Sequence, residues 1–101
     1  MITRIVKLHF QEDRIDDFLH FFEEIKWKVA KQPNCGGMKL LRDKHHPEIV
    51  FTYSHWRDEE ALETYRRSEL FAQVWPRIKP WFKERAEAWT VECHFNGFEE
   101  A

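Results

Sequence analysis

The chain has 101 residues, 43% of them hydrophobic and 16% aromatic, with 16 Lys and Arg against 18 Asp and Glu. That length suits a single domain, residues 1–101, and the apolar content excludes a disordered segment. The balanced charge, without a basic stripe, argues against nucleic acid and against an anionic membrane as partners.

The stretch from Ile2 to Phe10 alternates and predicts a strand. Ile2, Val6, Leu8 and Phe10 share one face, broken by Arg4, while Thr3, Ile5, Lys7 and His9 share the other. A helix follows, because Ile15, Phe18, Leu19, Phe22, Ile25 and Val29 recur at helical spacing. Asp13, Asp16 and Asp17 stand near its start and Lys26, Lys28 and Lys31 near its end, as the helix dipole favours. Pro33 and the run Asn34-Cys35-Gly36-Gly37 stop it, which reads as a loop. Met38 to Arg42 predicts a short strand, residues 43–47 a turn, and Glu48 to Trp56 the strongest strand of the chain. Asp58 is placed to cap a second helix, and Ser68-Glu69 to restart it in a new direction. Pro76 and Pro80 break that helix into an irregular stretch from Trp75 to Phe82. Alternation returns from Ala88 to Phe95 as a last strand.

The order is β-α-β-β-α-β. Right-handed crossovers turn it into a ferredoxin-like α+β fold, with a four-stranded antiparallel sheet ordered 4-1-3-2 and helices on one face. The bare face carries Ile5 and its neighbours, so a second copy of the chain is the simplest cover and a homodimer is expected. Nine Phe, five Trp and two Tyr exceed what one small core hides, which points to a dimer face and a ligand pocket. Cys35 and Cys93 make no disulfide framework, the N-terminus lacks the apolar run of a signal peptide, and no window approaches a membrane span. The expected setting is cytoplasmic.

The segment from His55 through Trp56, Asp58 and Tyr65 to Ser68 and Phe71 resembles the second-helix region of the antibiotic biosynthesis monooxygenase domain. A strand ends in Trp, an acidic helix start follows, and a Ser-x-x-Phe step comes after it. The resemblance extends over nearly the whole chain in element order and length. It implies a dimeric α/β barrel, two sheets packed face to face, with a cleft between sheet and helices in each subunit. It also implies oxygenation of a phenolic or quinol-like aromatic without metal or other cofactor. Haem-degrading relatives carry a histidine a few residues past the Ser-x-x-Phe step, where Trp75 stands here, and an asparagine on the first strand that Ile2–Phe10 lacks. No haem is expected.

Trp56, Tyr65, Phe71 and Trp75 are the candidates to line the cleft and hold a small aromatic or apolar metabolite. Core packing accounts equally well for Trp56 and Trp75, and is the simpler account of Phe71. Tyr53, His55 and Tyr65 are the candidates to handle protons. If Trp56 points into the cleft, strand alternation sends His55 to the opposite face, into the dimer barrel. His9, His55 and His94 fall on adjacent strands, but their spacing, roughly 9–10 Å across the first strand for His55 and His94, does not suit one metal ion. Arg4 and Arg42 read as strand-end charges. Two other functions fit the same scaffold: a non-catalytic dimer that binds a metabolite, and an isomerase with an acid-base group in the cleft.

Overall fold

The computed structural model describes residues 1–98. Four strands form one antiparallel sheet: β1 (Ile2–His9), β2 (Cys35–Arg42), β3 (Ile49–Trp56) and β4 (Glu87–Val91). Their order across the sheet is β2-β3-β1-β4, the expected one. Three helices accompany them: α1 (Ile15–Ala30), α2 (Glu59–Arg66) and α3 (Glu69–Ile78), with a short 3₁₀ turn over Lys79–Trp81. The fold is the ferredoxin-like α+β arrangement.

Alternation along β1 and β3 sets which groups meet. Leu8 and Phe10 turn toward the helices and are buried with Phe18, Phe21, Ile25 and Val29 of α1. Phe10 and Phe18 stack with centroids 4.4 Å apart. Burying a ring or branched aliphatic of this kind contributes about 1.5–3 kcal/mol each. Thr3, Ile5, Tyr53 and His55 belong to the opposite face, with Thr3 paired to His55 and Ile5 to Tyr53.

Phe21 is a core residue outside the expected α1 stripe. Its ring meets Trp81 edge-on at 6.4 Å and carries the Arg77 guanidinium at 4.5 Å. The helix is therefore packed on two sides, by the sheet and by the turn after α3.

Two boundaries differ from expectation at the sheet edges. Strand β2 begins at Cys35 rather than Met38, because the two glycines belong to the strand. The register shifts between Cys35 and Gly37, and Gly37 takes φ 123°, a value that favours glycine. Strand β4 ends at Val91 rather than Phe95. Its partner runs out: Val91 pairs with Thr3, and few β1 residues precede Thr3 to pair with more. Cys93 and His94 consequently lie outside the strand. Pro76 also fails to end α3, which runs on to Ile78, anchored by buried Val74 and Ile78 on either side of it.

Candidate functional site

A cavity of about 310 Å³ opens between the sheet and the helices. Its position follows from the break between α2 and α3. Asp58 caps α2 by accepting from the Ala61 N–H at 2.8 Å, and Ser68 caps α3 by accepting from the Phe71 N–H at 3.2 Å. The two caps split one helical run into two axes, and the wedge between them is filled with rings.

Those rings form one wall. Trp56 stacks on Tyr65, with centroids 5.0 Å apart and planes 22° from parallel. Tyr65 meets Phe71 edge-on at 5.5 Å. Phe71 stacks on Trp75 at 5.7 Å and 9°. Trp75 meets Phe82 edge-on at 5.5 Å. Trp56, Tyr65, Phe71 and Trp75 all line the cavity, together with α1 residues such as Phe22 and Ile25. Trp56 is also a core residue, 1% exposed, and its Nε1–H donates to Ser54 Oγ at 2.9 Å. Packing and cavity lining are thus not alternatives for this side chain.

Polar groups in the lining are few. They include Thr52, Ser54, Tyr65, Arg4 and Arg66, and among the described residues no Asp, Glu, His or Lys lines it. Burial, with a smaller effect from nearby Cys35, pushes the Tyr65 phenol up to about 12. Tyr65 is protonated at neutral pH and can donate a hydrogen bond there, but it does not serve as a base.

Tyr53 and His55 do not reach the cavity. Alternation carries both to the other face of β3, where their rings meet edge-on at 5.1 Å and His55 Nδ1 lies 3.1 Å from Thr3 Oγ1. Neither lines this cavity, because Thr52, Ser54 and Trp56 occupy the cavity-facing positions of that strand. The remaining histidines are dispersed. His9 sits at the far end of β1 with Nε2 4.0 Å from Glu48, and His94 lies past β4. No group of three or more metal-ligating side chains is assembled among the described residues. Cys35 donates to the Gly37 carbonyl at 3.7 Å, and neither cysteine is paired.

Residues 1–75 match the family model described as antibiotic biosynthesis monooxygenase. The chain belongs to that family. Solved structures agree on the fold. An antibiotic biosynthesis monooxygenase superposes with TM-score 0.86 at 22% identity, covering 92% of this chain and 98% of that one. A conserved protein from Methanosarcina mazei Go1 gives 0.83 at 20% identity, with 90% and 91% covered. A candidate antibiotic biosynthesis monooxygenase from Nitrosomonas europaea gives 0.87 at 12% identity, with 94% and 100% covered. At such identities the likeness carries the architecture and not the chemistry.

Arg4 departs from its expected place in this member of the family. Arg4 is not a strand-end charge. It stands mid-face on β1 beside the cavity, half-buried, and its guanidinium donates to Thr90 Oγ1 across the sheet at 2.8 Å. Burial first, then the like charge of Arg66, pulls it below its ordinary value, while Glu63 opposes. The signal was present: Arg4 is the single break in the apolar face of Ile2, Val6, Leu8 and Phe10.

Proposed function

We propose that the chain is a monooxygenase-like enzyme that oxidises a small phenolic or quinol-like aromatic without a cofactor. The observation that carries this reading is the cavity of about 310 Å³ walled by Trp56, Tyr65, Phe71 and Trp75. Four rings in edge-on and stacked contact form a rigid apolar surface that suits a flat substrate. A phenol with a free ring C–H and one O₂ can give a quinone and one water, so no outside reductant enters the balance. The apolar wall would hold the ring out of water and would by itself oppose its ionisation, so Tyr65 would donate to the oxygen charge that develops on it and offset part of that cost. No side chain in the lining acts as a base, so the substrate proton would leave to solvent at the open end.

The family membership supports the class of reaction. A homodimer belongs to the same proposal: the sheet face opposite the helices carries Trp89, Val91 and Leu41, each 40% exposed or more. A second copy laid on that face would bury them and complete a barrel. The expected setting is the cytoplasm.

Oxygen-electrode measurements with a panel of naphthols, anthrones and hydroquinones test the reading. Uptake above buffer, matched by quinone absorbance and reduced in the Tyr65→Phe variant, is the expected result. No uptake with any of them removes the oxygenase. One observation favours a second reading, a non-catalytic metabolite-binding dimer: the lining holds no carboxylate, imidazole or amine to move a proton. A protein that leaves its host with an aromatic molecule retained, yet consumes no oxygen, would be that dimer. An isomerase needs the same missing acid-base group and is the weakest of the three.

A further inference from the structure

Two cations face a cavity whose lining, among the described residues, contains no acid. Arg4 enters from β1 and Arg66 from α2, one residue past Tyr65 and so on the adjoining side of the same helix. The neighbours of Arg4 along its own sheet face are Ile2 and Val6, and its partners across the sheet, Ser54 and Thr90, are neutral. A partly buried guanidinium gains where an anion meets it, because part of its hydration is already lost. Glu63 acts on both guanidiniums and bonds Arg66 at 2.8 Å, but Glu63 and Arg66 are each about half exposed, so water screens that charge. Ser54, a hydroxyl of the lining, accepts from Trp56 and donates to the Arg4 carbonyl at 3.5 Å, so it is committed. The positive end of the cavity therefore offers charged donors, where the wall offers only the neutral Tyr65 hydroxyl and an indole N–H, that of Trp56 being taken by Ser54.

We propose that the ligand of this cavity is an aromatic acid, its flat body on the Trp56–Tyr65–Phe71–Trp75 wall and its carboxylate at Arg4 and Arg66. The inference rests on the reading of the cavity as an aromatic-ligand site and adds the charge and the orientation of what enters. A carboxylate matches the planar fork of a guanidinium better than a hydroxyl does, and a charge-assisted bond is roughly twice as strong as a neutral one. The volume is at the small end of ligand cavities, which limits the body to two or three fused rings. The acid group would also fix which edge of the ring system lies deepest, and so which carbon is presented for oxidation.

The probes are 2-naphthoate and its uncharged twin 2-naphthamide, titrated into the purified full chain near neutral pH by calorimetry, with Trp fluorescence as a second readout. The acid should bind about tenfold or more tighter than the amide. Raising salt from about 50 to about 500 mM should weaken the acid and leave the amide unchanged, because a partly exposed ion pair is screened. Arg4→Gln and Arg66→Gln should each remove most of the preference, read as the ratio of acid to amide affinity in the same variant. Equal affinity for acid and amide, or a preference that survives both substitutions, overturns the aromatic acid while leaving an aromatic-ligand cavity standing. Binding of neither probe overturns both. If Arg4→Gln does not fold, Arg66→Gln on the half-exposed helix surface and the salt dependence of the unaltered chain decide the matter.

Discussion

The indole of Trp56 is clamped between Tyr65, stacked at 5.0 Å, and Ser54, whose Oγ accepts its N–H at 2.9 Å. That ring has no freedom to turn and no donor left for a ligand. The deepest part of the wall is thus a fixed apolar plane, and whatever polar recognition the cavity performs falls to other groups.

Ser54→Ala tests the clamp. It leaves a buried indole N–H without a partner, which costs about 1–3 kcal/mol. In a Trp56→Phe background the same change should cost much less, because the donor is already gone. Urea unfolding of the four proteins of this cycle gives the coupling directly. Equal costs of Ser54→Ala in both backgrounds would show that the bond contributes nothing.

Tyr65 makes stability depend on alkaline pH. Its phenol is raised to about 12 in the folded chain from an unfolded value of 10.0. The contribution is fully present below pH 10. Above it the unfolded chain loses its proton first, so stability falls through the window from about 10 to about 12. Two units correspond to up to about 2–3 kcal/mol. Unfolding curves at rising pH should diverge between the native chain and Tyr65→Phe, with the variant losing less. Near neutral pH the two should differ by less than about 0.5 kcal/mol.

The order of elements and the strand order were legible because they depend on patterns several residues long: alternation in Glu48–Trp56, helical spacing from Ile15 to Val29, and the capping residues Asp58 and Ser68. The wall residues were legible for the same reason: Trp56 ends β3 on its helix-facing side, and Tyr65, Phe71 and Trp75 lie on the inner stripes of α2 and α3. The errors came where one partner decides the outcome. Residues 92–95 alternate as well as residues 88–91 do, but β1 has too few residues left to pair with them. Gly36 and Gly37 look like a loop until a neighbouring strand lies alongside. Arg4 looks like a surface charge until α2 and β4 are folded over it. None of these is a local property of the chain.

The two helix caps respond differently to acid. Asp58 is held below the usual carboxylate range, chiefly by the Ala61 N–H and then by Arg57. A depressed value contributes stability above about pH 4, lost as pH falls through the folded value. Asn caps as well as Asp but does not titrate. Asp58→Asn should therefore keep neutral-pH stability and make the acid limb of the unfolding profile shallower. Ser68→Ala should lower stability by about 1 kcal/mol at every pH, since a hydroxyl cap carries no charge. It should also weaken aromatic ligands, because the cap orients the turn that presents Phe71. Circular dichroism followed from pH 7 to pH 2 separates the two behaviours.

The face opposite the helices carries the last prediction. Ile5 pairs with Tyr53 on one side and with Trp89 on the other, so three large side chains lie abreast across β3, β1 and β4. Trp89 remains 46% exposed, Leu41 the same and Val91 40%. An apolar row of this kind, away from the helices, is costly in water and cheap to cover with its own copy, since a two-fold axis places each residue against an equally apolar patch. Trp89→Glu puts a charge at the β4 end of that row and leaves the cavity lining untouched. Sedimentation at micromolar concentration should give twice the chain mass for the native protein and the chain mass for the variant. The native unfolding midpoint should rise with protein concentration, and that of the variant should not. A native chain that sediments as a stable monomer would leave the row uncovered, and the barrel would have to be abandoned.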